Sequence, residues 1–281
     1  KKWLSTGISK GGETVMIYKS KFPNDIDVAV PYVAPLINTQ EDPRTNELIN
    51  SVGSKECREQ IQQFQRAVLK NRAGVMTELK KYAKEKKVSF TQVPIDEALE
   101  HAVLEFPFSF WQWGSKCEEI PDEKSNPTIL FKYLKRVSGF YLFSDAGVHN
   151  YLPSFYQHMT ELGYYGYDFE PVKDLLKHVK TTSLSCFGPK DVDLTYNPNY
   201  IKEVREYMEN KGDKTLYVYG GYDPWGACAP NPKPEVDALK MVLEGGHHGT
   251  RIKHFSKEDQ QKMYKKLQSW LGEDVKIYPI K

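Results

Sequence analysis

In Trp3-Leu4-Ser5-Thr6-Gly7-Ile8-Ser9-Lys10-Gly11-Gly12 a strand-like segment, Lys1 to Gly7, passes through a glycine-rich turn. A helix-compatible run from Glu13 to Lys21 follows, with Val15, Met16 and Tyr18 apolar. Phe22-Pro23-Asn24-Asp25 punctuates the chain. Ile26-Asp27-Val28-Ala29-Val30-Pro31-Tyr32-Val33-Ala34-Pro35 comes next, and the β-branched content of its first half marks a buried strand. Strand, tight turn, helix, strand is a βαβ unit, so the fold class expected is α/β.

Gly7-Ile8-Ser9-Lys10-Gly11 fits G-x-S-x-G. The logic of that spacing is steric. A serine on a sharp strand-to-helix turn exposes its hydroxyl, and glycines two before and two after let strand and helix pack closely around it. The N-terminus of the following helix favours negative charge developing there. A serine hydroxyl needs a base, and the base needs an orienting acid. In the hydrolase architecture that uses this elbow the chain order is Ser, then Asp or Glu, then His.

The chain supplies that order. Lys214-Thr215-Leu216-Tyr217-Val218-Tyr219 reads as a strand and runs into Gly220-Gly221-Tyr222-Asp223-Pro224. Leu239 to Leu243 reads as another, ending in Gly245-Gly246-His247-His248. Ser9, Asp223 and either His247 or His248 therefore follow the carboxyl ends of strands, where an open α/β sheet places its site. His254 lies beyond the loop; His101, His149, His158 and His178 fall in the middle of the chain. A last helix starts at Ser256 with a capping-box-like Asp259, buries Met263, Leu267, Trp270 and Leu271, and stops at Gly272.

Between the strands the pattern is helical. Residues 56–86, 95–105, 127–138, 151–162, 170–179 and 198–210 have amphipathic or helix-compatible spacing. The expected organisation is a core segment at 1–37, a helical insertion at 38–212 and a second core segment at 213–281. With 281 residues, 40% hydrophobic and 13% aromatic, the chain has matter for a packed core. Lys plus Arg (39) nearly balances Asp plus Glu (37), which leaves no electrostatic footprint for nucleic acid. Mean hydropathy is −0.60, and no apolar run approaches a membrane span. The four cysteines, Cys57, Cys117, Cys186 and Cys228, contain no CxxC, and their pairing is left open. Neither a metal nor another cofactor is called for.

Several blocks together resemble bacterial secreted tripeptidyl aminopeptidases. These are α/β-hydrolase serine peptidases distantly similar to prolyl carboxypeptidase and dipeptidyl peptidase II. The blocks are the elbow segment, Asp27 to Pro35, Ser109-Phe110-Trp111-Gln112-Trp113, Tyr219 to Trp225, and Gly246-His247-His248-Gly249-Thr250-Arg251-Ile252. The resemblance implies Ser9 as nucleophile and Asp223 as acid. It selects His248 as base, because the family's histidine precedes an Arg-Ile pair by three residues. It implies release of tripeptides, in some members proline-containing, from free N-termini, and a secreted or periplasmic location. The backbone N–H of Lys10 is then an oxyanion donor. An exopeptidase must also hold the substrate ammonium, which a carboxylate does. Glu161, in a Tyr-Gln…Thr-Glu block shared with the prolyl carboxypeptidase relatives, is the first candidate and Glu105 the second. Trp111 and its neighbours line a proline pocket or form core of the insertion.

The resemblance also implies several strands ahead of the elbow, whereas here the elbow is at residue 9. The N-terminal part of the sheet is expected to be absent from this chain, supplied by a separate fragment or removed by processing or truncation. The isolated chain would then expose a sheet edge and be inactive or feeble. Two other readings remain: an esterase or other serine hydrolase on the same scaffold, and a binding module whose triad is inactive.

Overall fold

The computed structural model describes residues 1–272. The chain divides into two compact units, Lys1–Asn38 with Pro198–Lys281, and Thr39–Asn197.

The first unit is built on a fully parallel sheet in the order β1 (Leu4–Ile8), β2 (Val28–Tyr32), β3 (Thr215–Gly220), β4 (Ala238–Leu243). Leu4 pairs with Val28, Ala29 with Thr215 and Thr215 with Ala238. Parallel strands need crossovers, and α1 (Lys10–Lys21) supplies the first. Side chains alternate along each strand. Val28, Val30, Leu216, Val218 and Met241 point to one face, where they pack with Met263, Leu267, Trp270 and Leu271 of α9 (Lys257–Leu271). Ser256 caps α9 by accepting the Asp259 N–H at 3.1 Å, and Trp270 Nε1 donates to Asp237 at 2.7 Å, fixing the helix beside β4. The opposite face carries Tyr217 and Tyr219, and there α1 packs on α8 (Asn199–Lys211). The helix at 198–210 thus belongs to the sheet unit, not to the insertion that the sequence pattern assigned it to. The expected core segment 213–281 reaches nine residues past the described ones.

β1 and β4 are the two edges of the sheet among the described residues. Trp3, Leu4 and Ile8 are exposed along β1. A groove of about 560 Å³ runs beside it, lined by Leu4, Ile8, Val30, Tyr32, Ile252 and Leu267 among others.

The second unit is helical: α2 (Arg44–Ile49), α3 (Lys55–Lys70), α4 (Arg72–Lys86), α5 (Ile95–Gln112), α6 (Pro127–Val137) and α7 (Asp145–Gln157). α5 is buried on nearly every side and forms the centre. It continues to Gln112, well past the expected 105, and passes through Pro107. A proline there deprives the carbonyl of Val103 of its helical donor. The Gln65 side chain takes that place, donating to Val103 O at 2.8 Å. The 56–86 run breaks at Asn71, whose Nδ2 bonds back to Ala67 O at 2.9 Å, and Gly74 sits within α4. Gly74 meets Pro127, where a Cβ would lie 2.5 Å from the proline ring. Cys57 and Cys117 form a disulfide, and Cys186 and Cys228 remain thiols. No helix among the described residues is long and apolar enough to cross a membrane.

The expected helix at 170–179 is absent; the segment is a series of turns. Its backbone N–H groups find a better acceptor than their own carbonyls. The buried Glu100 carboxylate receives Lys177 N at 2.7 Å, His178 N at 2.9 Å and Val179 N at 2.7 Å, besides Arg72 at 2.7 Å. Burial alone would push this carboxyl up, but the donors outweigh it and hold it below its ordinary value. Glu100→Ala is expected to strand Arg72 and three amides and to cost about 3 kcal/mol in urea denaturation. Hydrogen exchange at 177–179 should accelerate with it.

Candidate active site

Ser9 directly follows β1 and caps α1, with φ 56° and ψ −128°. A non-glycine residue there costs on the order of 1–3 kcal/mol unless its surroundings fix it. They do: the Ser9 N–H donates to Tyr32 O at 2.9 Å, and Ser9 O accepts the Glu13 N–H at 3.0 Å. Gly7 and Gly12 are required by contact, whereas Gly11, the second glycine of the motif, has open space where a Cβ would lie. A Cβ on Gly7 would lie 2.3 Å from Gly11 O, and one on Gly12 would lie 2.7 Å from the Ala34 Cβ. Lys10 opens α1, and helix geometry directs first-turn N–H groups out of its N-terminus.

Asp223 lies three residues past β3 and is fully buried. His248 lies five residues past β4 at 4% exposure, and its Nδ1 is 2.7 Å from Asp223 Oδ2. The two loops touch backbone to backbone. Gly221 N donates to Leu243 O at 2.8 Å and Tyr222 N to Gly246 O at 2.7 Å. A Cβ on Gly220 would lie 2.5 Å from Gly246 C. Burial pushes the Asp223 carboxyl up; the His248 hydrogen bond and the Trp225 N–H, at 3.3 Å, oppose it. A carboxylate accepts, so Nδ1 carries the ring proton and Nε2 is the basic nitrogen.

The neighbouring His247 is exposed and accepts the Gly249 N–H at 3.1 Å. His254 accepts the Arg251 N–H at 3.1 Å. His149 and His178 are exposed, and His158 bonds Gly163 O at 2.9 Å. His101 is buried among Phe143, Tyr167 and Phe187, and burial drives it down to about 4. Among these seven, His248 is the one bonded to Asp223.

Two further residues of this unit had no role assigned from the sequence. Arg251 donates to the carbonyls of His248 and Thr250. Glu13, one turn after Ser9, is 1% exposed with both carboxylate oxygens lacking a protein partner. The signal for Glu13 was its spacing, three residues before the buried Met16.

In the helical unit, Glu105 is buried and accepts Ser109 Oγ at 2.7 Å and Tyr165 Oη at 2.6 Å. Burial raises its carboxyl to about 7 against those bonds. Glu161 is half-buried on a π-helical turn, His158–Leu162, a geometry common at functional sites. Trp111 is 3% exposed and seats on Gly53, whose φ of +69° and missing Cβ make room for the indole. It lines a constricted cavity of about 30 Å³ together with Phe108, Pro107 and Tyr165.

The family model for PS-10 peptidase S37 matches residues 1–277. The chain belongs to that family. It is 31% identical over 285 residues to a Streptomyces mobaraensis protein named prolyl tri/tetrapeptidyl aminopeptidase, a match covering 97% of this chain. The chain spans 58% of the length of that relative.

Glu13 yields a test of the elbow's interior. Burial raises its carboxyl from 4.5 to about 8, while Lys10 acts in the opposite sense. Below the unfolded value the group is protonated in both states and costs nothing extra. As pH rises toward 8 the unfolded chain releases a proton that the folded chain keeps, so stability falls, then levels off. Glu13→Gln should therefore gain stability over wild type progressively between about pH 4.5 and 8, by several kcal/mol at most. Urea melts at pH 5 and pH 8 that differ equally in both proteins would refute it.

Proposed function

We propose that this chain carries the nucleophile, base and acid of a serine exopeptidase that releases tripeptides, including proline-containing ones, from free N-termini. The observation that carries the reading is the buried 2.7 Å bond between His248 and Asp223, on the sheet edge that also holds the Ser9 elbow. His248 Nε2 takes the Ser9 proton as Oγ attacks the scissile carbonyl. Asp223 holds the ring tautomer and offsets the imidazolium charge. The oxyanion faces the Lys10 N–H and the positive end of α1. The imidazolium then protonates the leaving amine. Water, deprotonated by the same nitrogen, hydrolyses the acyl-enzyme and regenerates Ser9.

The relative's name supports the substrate class. For the substrate ammonium we favour Glu161. Its carboxylate is half-exposed on the π-helical turn, whereas Glu105 is enclosed with Ser109 and Tyr165 already bonded to it. Glu105 in this reading supports the wall that Tyr165 and Phe108 make by stacking at 3.9 Å. The burial of Trp111 favours a packing role, with the cavity wall second.

We read the sheet unit as part of an α/β-hydrolase fold and the helical unit as its cap insertion. The parallel βαβ sheet and elbow support this. Besides the peptide, we propose that further strand structure pairs with β1 and extends the sheet. The exposed edge and apolar groove support it. The Cys57–Cys117 disulfide supports a secreted or periplasmic location.

A fluorophosphonate probe and a pair of tripeptide reporters, one with a free and one with a blocked N-terminus, test this in the whole natural polypeptide. Ser9→Ala should abolish labelling and lower turnover at least about 10⁴-fold. Glu161→Gln should raise KM for the free-amine reporter far more than it changes kcat. Equal cleavage of both reporters by wild type would remove the aminopeptidase assignment and favour an esterase or endopeptidase.

A further inference from the structure

The bond to Asp223 orients the His248 ring, but it does not locate the backbone that carries the ring. Arg251 does. Its Nη1 donates to His248 O at 3.1 Å and to Thr250 O at 2.7 Å, so the two hydrogens of one nitrogen clamp the turn that bears the histidine. The same guanidinium lies 5.5 Å from the centroid of the Tyr32 ring. Tyr32 ends β2, and its carbonyl receives the Ser9 N–H at 2.9 Å. One planar cation thus spans from the histidine's own carbonyl to the residue that holds the nucleophile's amide.

Two backbone bonds of the histidine loop run elsewhere. Thr250 N donates to His247 O at 2.9 Å within the loop, and Gly246 O accepts from Tyr222 on the acid loop. The first stays within the loop and the second ties it to the acid loop; neither reaches Tyr32. Among the described residues the bonds of Arg251 go to carbonyls and its face to an aromatic ring. A lysine would keep the charge but lose the fork and the stacking plane.

We propose that Arg251 is a positioning residue that sets the separation of Ser9 and His248 by tying the histidine loop to β2. This rests on the serine peptidase reading above. Acyl transfer is sensitive to displacements of about 1 Å, so loss of the tie falls on the chemical step rather than on substrate binding.

The test uses Arg251→Met, Arg251→Lys and Arg251→Ala in the whole natural polypeptide, with Ser9→Ala as control. Three quantities are read: fluorophosphonate labelling rate, kcat and KM on the tripeptide reporter, and the urea midpoint. Arg251→Met is expected to lower labelling and kcat about ten- to hundredfold, with KM within about twofold. Arg251→Lys should recover only part of the loss. Guanidinium ion at tens of millimolar should restore activity to Arg251→Ala, which a merely structural role would not allow. Labelling of Arg251→Met at the wild-type rate overturns the proposal. So does a loss of activity that follows the urea midpoint and is not restored by guanidinium. If Arg251→Met does not fold, the lysine variant and the guanidinium arm decide. Wild type that shows no Ser9-dependent labelling overturns the peptidase reading, and that result is distinct from a normal wild type with an unaffected Arg251 variant.

Discussion

At the carboxyl edge of the sheet, backbone meets backbone with no room for a Cβ. Gly7 lies against Gly11, Gly12 against Ala34, and Gly220 against Gly246. These contacts are what hold Ser9 at a positive φ and bring the Asp223 and His248 loops together. The same crowding explains why the candidate acid and base are so completely buried: loops that touch through their main chains leave no gap for water around the side chains between them. Removing solvent strengthens the carboxylate–imidazole bond, and it raises the cost of leaving either group unpaired.

Sterics of this kind are written locally, which is why the sequence showed them. Glycines near Ser9, and glycine pairs after two strands, mark turns where a Cβ would collide with neighbouring atoms. The βαβ unit, the elbow, the Asp223 turn and the His247-His248 pair are legible in patterns spanning fewer than a dozen residues, while the choice of His248 came from the family resemblance. Where the sequence reading went astray, a partner distant in the chain had intervened. Gln65 repairs the carbonyl that Pro107 leaves without a helical donor, so α5 continues where a stop was expected. Glu100 draws three amides from 177–179 out of a helix that their own spacing favours. The helix at Asn199–Lys211 sides with the sheet because of α1, a neighbour nearly two hundred residues earlier. Propensity cannot anticipate a hydrogen bond supplied from another element.

The buried glutamates make the same point quantitatively. Glu100, Glu105 and Glu13 are one residue type at almost equal exposure. Glu100 has three amides and a guanidinium and is held below its ordinary value. Glu105 has two hydroxyl donors and rises to about 7. Glu13 has no protein donor and rises to about 8. Burial is common to all three, so the supply of donors decides the protonation state. Composition counts these residues as equal negative charges, and only the fold separates them.

That separation bears on the elbow. A charged Glu13 would place an uncompensated anion inside the first turn of α1, where the helix end is positive and the candidate oxyanion donor sits. Kept neutral, it leaves the field of that helix end intact for charge arising at Ser9. The absence of donors around Glu13, a defect by the standards of a stable core, therefore favours the protonation state that interferes least with the turn beside it.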